Sequence, residues 1–245
     1  MEPTLNTGAP SPADPALVES LAVANRILYD QGVVDGFGHV SVRHDRSPAH
    51  FLLARNMAPA LVTPADILTF DLDGQALDAG DRRVYLERFI HAEIYRARTD
   101  VVAVVHSHSP SVIPFAATRT PLRPIYHMSG FLGAGSALFE IRDVAGDTDM
   151  LISNASLGVA LAAALGSRST VLMRGHGSTV VGASLEQAVY RAIYAEVNAR
   201  LQTQARQLGE VTYLNANEAA KAAATNDTQL PRVWDLWTRE IGAIE

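Results

Sequence analysis

Cysteine is absent from the 245 residues, which excludes disulfide staples, thiolate nucleophiles, cysteine-ligated zinc and iron–sulfur clusters, and fits a reducing compartment. A bound metal would have to rely on His, Asp or Glu. Long apolar runs are also missing: none reaches the roughly 18 residues that a membrane span requires. Positive charge is scarce, with 20 Lys and Arg against 26 Asp and Glu for a formal charge of −6. A field of that sign repels nucleic acid and anionic membranes, so neither is an expected partner. The first fifteen residues hold four prolines but no basic segment leading into an apolar one. They read as a loose tail rather than a signal peptide, and the expected location is cytoplasmic. Residues 16–245 show no repeat and no dividing linker, and with 48% hydrophobic residues they suit one large α/β domain.

Periodicity outlines the elements. Leu17, Leu21, Ala24 and Leu28 recur at helical spacing before Gly32, predicting a helix with a glycine stop. Val40 and Val42 alternate in a strand entered from a loop holding Gly36, Gly38, His39 and Ser41, and Phe51 to Leu53 form a second short strand. Thr63-Pro64-Ala65-Asp66 carries the signature of a capped helical turn, and Asp73-Gly74 that of a hairpin. Residues 85–98 predict an amphipathic helix that places Glu87 and His91 on one face. The β-branched run from Val101 to Val105 predicts a strand buried on both faces, with His106 and His108 at its end. A helix over 155–165, a strand over Thr170–Met173, and a long helix from Ser184 with Gln187 as a capping box to about Leu208 complete the outline.

Three histidines fall where strands end: His106 and His108 in VVHSHSP, and His176 in LMRGHGS. Glu87 could complete the set from its helix. A divalent ion on three neutral imidazoles, with a carboxylate nearby and positions left open, is a Lewis acid rather than a closed structural site. Other His-x-His scaffolds fit poorly. A metallo-β-lactamase-type site needs Asp and His where Pro110 and Ser111 stand, and a cupin needs a glutamate soon after the pair, where the chain reads Ser109 to Ile113.

From about Leu17 to Leu208 the chain resembles the class II aldolase and adducin family. The resemblance rests on four motifs in order: Gly-x-x-Ser at Gly38–Ser41, Glu-x-x-x-His at Glu87 and His91, His106-x-His108, and Arg174-Gly175-His176-Gly177. It implies a three-layer α/β/α sandwich on a mainly antiparallel central sheet. It also implies one divalent metal (Zn, Mn, Fe or Co) on His106, His108 and His176, with Glu87 beside it as acid/base, and a tetramer with sites near subunit interfaces. The family's sugar-phosphate aldolases carry Ser-Ser before the catalytic glutamate and Asn after the loop glycine; here Tyr85-Leu86 and His39 stand there. A phosphosugar is therefore not the expected substrate. The runs DGFGHVSVR, RNMAPALVTPADI and YHMSGFLG are similar to the decarboxylase branch of the family, which acts on hydroxylated dicarboxylates from aromatic or pyridine-ring breakdown.

The expected activity is thus decarboxylation of a hydroxylated aromatic or muconate-type dicarboxylic acid. Two alternatives stand beside it, an aldolase for a non-phosphorylated hydroxy-keto acid and a metal-free, adducin-like interaction module. His39 and Ser41, as loop donors, are expected to capture a substrate carboxylate, Arg55 to grip one bidentately, and His91 to orient Glu87 or contact substrate. Tyr126 and His127 are the candidates for the proton donor, reaching a neighbouring subunit's metal. Arg174 is expected to brace its loop, His44 and His50 to be solvated, and Trp234 and Trp237 to pack a terminal helix.

Overall fold

The computed structural model describes residues 11–242. Its centre is a seven-stranded sheet in the order β3-β2-β1-β4-β7-β6-β5, built from β1 (His39–Arg43), β2 (His50–Ala54), β3 (Ile67–Asp71), β4 (Ala103–Ser107), β5 (Ala137–Phe139), β6 (Thr170–Met173) and β7 (Gly177–Gly182). Every pairing is antiparallel except β5 with β6, so the expected mainly antiparallel α/β architecture is what the chain adopts. The helices are α1 (Pro15–Asp30), α2 (Arg88–Ala97), α3 (Ile113–Ala117), α4 (Arg142–Ala145), α5 (Ala155–Leu165), α6 (Leu185–Leu208), α7 (Ala216–Asp227) and α8 (Leu230–Gly242). None of them is long and apolar enough to cross a membrane.

The period of two along each strand divides the core into two layers. Val40 and Val42 of β1 and Ala103 and Val105 of β4 face α1, α6 and α8. Val104 on β4 and Val171 and Met173 on β6 face the other way, onto Ile90, Ile94 and Tyr95 of α2 and Leu157 and Leu161 of α5. Each of these Val, Leu, Ile and Met side chains, fully withdrawn from water, contributes about 1.5–3 kcal/mol. His39, Ser41 and His106 therefore lie on the α2/α5 side of the sheet. Helix ends follow local chemistry: Asp14 Oδ1 accepts from the Ala16 amide (3.0 Å) ahead of Pro15, and Asn154 Oδ1 accepts from the Leu157 amide (3.0 Å) at the start of α5. α6 is capped by Ser184, whose Oγ accepts the Gln187 amide (3.1 Å), but Gln187 Oε1 accepts from the Ala183 amide rather than from that of Ser184.

Several expectations need revision. The tail expected over 1–15 falls outside the described residues as far as Pro10; beyond it, Pro12 O accepts from Arg46 Nη1 (3.0 Å) and Pro15 already opens α1. The helix expected from Tyr85 starts only at Arg88, with Glu87 at its N-cap. His44 is buried rather than solvated, its Nδ1 accepting from the Arg46 amide at 3.1 Å, and His50 is half-buried against Ser47 Oγ. Strands β5 and β7 and helix α7 had no sequence-based expectation. Trp237 does pack into the core beside α1 and α6.

Candidate metal centre

Strand register assembles the site. His39 on β1, His106 on β4 and Thr179 on β7 pair across three neighbouring strands. His108 follows one residue past β4, and His176 sits in the tight β6–β7 turn where Gly175 takes a positive φ of 68°. The turn is drawn hard against β4: a Cβ on Gly177 would lie 2.1 Å from Ser107 O and 3.2 Å from His108 Cα. Only glycine permits that approach.

As a result Glu87, His106, His108 and His176 each offer a ligand atom, and these atoms lie within 4.8 Å of one another. His108 Nε2 and His176 Nε2 are 3.0 Å apart, and Glu87 Oε2 is 3.5 Å from both His106 Nε2 and His176 Nε2. Glu87 is aimed by its other oxygen, which accepts the buried Ile152 amide at 2.9 Å. Burial pushes the Glu87 carboxyl up, yet the adjacent His106 and His176 rings outweigh it and hold the group well below the usual carboxylate range. Burial drives His106 well below an ordinary imidazole, and burial with the neighbouring His176 lowers His108. Those rings are neutral at neutral pH and carry free lone pairs.

The donor set fits a divalent cation. Among the described residues the buried His106 Nε2 has no hydrogen-bond partner, a costly state for a polar nitrogen unless something else satisfies it. For His106 that orphaned atom is the one turned toward Glu87. Three imidazoles and one carboxylate are ligands suited to zinc, manganese, iron or cobalt.

The remaining expected residues take different places. His39 is nearly buried, its ring 5.1 Å from that of His106 and 4.6 Å from that of Tyr85. Ser41 and His91 have no exposed surface. His91 does not share a face with the Glu87 carboxylate: it turns inward to His39 Nδ1 and Ser41 Oγ, each at 2.6 Å. Direct contact of Ser41 or His91 with substrate is therefore not what this geometry offers, because the sheet and α2 seal both. Arg55 is committed to Asp66, Nε to Oδ1 at 2.7 Å, and Asp66 Oδ2 in turn accepts from the Thr63 hydroxyl (2.7 Å). Tyr126 lies against Tyr194 and Arg200 of α6, its hydroxyl buried without a partner among the described residues, and His127 is exposed with its carbonyl accepting from Asn226 Nδ2. Neither is among the groups that act on Glu87, His106 or His108. Arg174 braces the turn through paired bonds to Glu140.

Sequence reasoning passed over three neighbours. Tyr95 bonds Ser41, and its position four residues after His91 on one helix face was the available signal. Tyr85 flanks His39 and donates to Met57 O at 2.5 Å. Phe37, 70% exposed, stands at the rim with its ring 6.4 Å from that of His108.

Comparison with known proteins follows the same lines. Residues 19–203 match the family described as Class II Aldolase and Adducin N-terminal domain. The chain is 36% identical over 239 residues to decarboxylase tropJ of Talaromyces stipitatus, covering 88% of this chain and 90% of that protein. It is 34% identical over 205 residues to a 3,4-dihydroxyphthalate decarboxylase of Arthrobacter keyseri, covering 78% and 79%. Among solved structures, an aldolase II superfamily protein from Pseudomonas syringae superposes with a TM-score of 0.78 at 25% identity, covering 94% of each chain.

Proposed function

The chain belongs to the class II aldolase and adducin family, and from that premise we propose that it is a metal-dependent decarboxylase of a hydroxylated aromatic or muconate-type dicarboxylic acid. The family, with relatives at this identity named decarboxylases, makes it a carbon–carbon lyase of the carboxy-lyase kind. The observation that carries the proposal is the convergence of Glu87, His106, His108 and His176. It also argues against the metal-free interaction module, which has no use for a buried His106 Nε2 left without a partner among the described residues.

Decarboxylation breaks the bond between a carbon and its carboxylate, and the electron pair left on that carbon must spread onto an adjacent oxygen until a proton arrives. A divalent ion bound by the cluster would supply Lewis acidity to that oxygen. His106 and His108, neutral through burial, hold nitrogens ready for it without proton loss, and His176 adds a third imidazole. Glu87, whose carboxyl is held below the usual carboxylate range, is the candidate to take or return a proton in the site. Phe37, near His108, and the exposed Leu86, next to Glu87 in the chain, would provide apolar surface for a ring, where the phosphate-binding Ser-Ser pair of the aldolases is missing. The small dicarboxylate enters from solvent, and the remote placing of Tyr126 and His127 suits delivery of the proton by a neighbouring subunit in a tetramer. A reducing cytoplasm would suit the cysteine-free chain.

The test is CO2 release from 3,4-dihydroxyphthalate and related hydroxylated dicarboxylates, measured with zinc or manganese added and again after exhaustive chelation. CO2 evolution that disappears on chelation and returns with metal is expected. An unchanged rate in verified metal-free protein refutes the metal dependence, and pyruvate or an aldehyde released without CO2 makes the protein an aldolase.

A further inference from the structure

Behind the cluster runs a line of polar groups for which decarboxylation as set out has no use. His39 Nδ1 and His91 Nε2 are 2.6 Å apart, His91 Nδ1 and Ser41 Oγ 2.6 Å, and Ser41 Oγ and Tyr95 Oη 2.8 Å. Tyr95 Oη ends the line at the carbonyl of Val102, 3.3 Å away. Backbone geometry explains the alignment: His39 and Ser41 are two apart on β1 and share a side, and His91 and Tyr95 are four apart on α2 and share a face. The Arg43 guanidinium, 4.8 Å from the centre of the Tyr95 ring, holds the far end in place. Ser41, His91 and Tyr95 are shut off from solvent, so water cannot substitute for any link.

The partners of His91 are a ring nitrogen and a hydroxyl, neither of them anionic, so its neutral form is favoured in this burial. Each neutral ring and each hydroxyl then has one proton to give, and the line can run in only two directions. If Tyr95 donates to Ser41, Ser41 to His91 and His91 to His39, three bonds form, the Tyr95–Val102 link is lost, and the His39 proton lies on Nε2. If His39 donates to His91, His91 to Ser41, Ser41 to Tyr95 and Tyr95 to Val102, four bonds form. A carbonyl can only accept, so it polarises the line in the second sense, and the additional bond favours that sense.

We infer that His91, Ser41 and Tyr95 are positioning residues that hold His39 with its proton on Nδ1, leaving Nε2 as a hydrogen-bond acceptor for a hydroxyl group of the substrate. This replaces carboxylate capture, since an ionised carboxylate has no proton to offer a bare ring nitrogen. His39 thereby selects for a hydroxylated acid and against one that presents a second carboxylate at that place. The identity of the substrate rests on the decarboxylase reading; the tautomer does not.

Neutron diffraction from deuterium-exchanged crystals of the full protein locates the ring protons without any turnover. Deuterium on His39 Nδ1 and none on Nε2 is expected. In Tyr95→Phe the carbonyl anchor is gone, Ser41 is free to donate to His91, and the His39 deuterium should move to Nε2. With a hydroxylated substrate, Tyr95→Phe should raise KM roughly 2- to 10-fold with kcat nearly unchanged, the loss of one hydrogen bond made equally in ground and transition states. Ser41→Ala cuts the same line with a smaller change and should show the same KM effect if Tyr95→Phe does not fold. Deuterium on Nε2 in the unaltered protein overturns the inference, as does wild-type KM in both variants. Absence of CO2 release from every acid tried would instead refute the decarboxylase reading and leave the tautomer assignment standing.

Discussion

Gly177→Ala adds one methyl group and removes no proposed ligand, so it tests whether the approach of β7 to β4 sets the metal centre. The new Cβ would sit 2.1 Å from Ser107 O, where ordinary contact begins at 3.4 Å. Both strands are held by the Ser107–Ser178 pairing, so relief requires the β6–β7 turn and the end of β4 to separate by about 1 Å, whereas metal–nitrogen bonds near 2.0–2.1 Å tolerate roughly 0.2 Å. That separation opens the 3.0 Å gap between His108 Nε2 and His176 Nε2 beyond what one ion can span comfortably. Affinity for zinc or manganese, followed by calorimetric titration of metal-free protein, should fall roughly 10- to 100-fold, the loss usual when the support of a ligand is disturbed. Overpacking of about 1–3 kcal/mol should lower Tm by roughly 2–12 °C. Gly182→Ala is the control at the other end of β7: its Cβ would meet the Ala188 amide nitrogen at 2.5 Å, so it should cost similar stability and leave metal affinity intact. Wild-type metal affinity in Gly177→Ala, or an equal loss of affinity in Gly182→Ala, would refute the reasoning.

Acid should destabilise the metal-free protein in a defined window. Burial first, and then His106, lower the His91 pKa from 6.5 to about 3, so between those values the unfolded chain binds more protons and stability falls as pH falls, by up to about 1.4 kcal/mol per pH unit from this residue. Thermal melts from pH 8 to 5 should show Tm dropping below pH 6.5 and a shallower slope for His91→Gln; a Tm that rises on acidification contradicts the burial argument. Arg55→Ala removes a half-exposed pair with Asp66 and should change stability by less than about 1 kcal/mol. If Arg55 also grips the substrate, KM must rise in the same variant, and an unchanged KM leaves it only the role of anchoring the turn at Thr63–Asp66.

Much of this architecture could be read from the chain because apolar periodicity was strong where the core is deep. The run from Val101 to Val105, the stripe of α1 and the Ser184 cap of α6 are examples. β7 was missed because Gly-Ser-Thr opens it and only Val180 and Val181 carry a strand signal. α7, rich in alanine, has no apolar stripe; its sign was the Asn215–Glu218 capping box. For the site, residue types and order sufficed to name the four converging groups, but not their directions. Starting α2 at Arg88 instead of Tyr85 turns Glu87 out of the helix and toward His106, while His91 goes inward. Whether a histidine faces a cleft or a buried serine depends on register between β1 and α2, which sequence spacing alone does not contain.

Strands β1, β4 and β7 occupy the third, fourth and fifth places of the seven-stranded sheet. Amides in such a position exchange with solvent only through the largest openings of the fold, so the His106 and Thr179 amides should be among the slowest to deuterate. Selection therefore cannot widen the centre for a bulkier acid without loosening the whole scaffold. New substrates are more readily accommodated at the periphery, by changing the loop that carries Phe37 and the turn that carries Leu86, while the buried histidines stay where the sheet holds them.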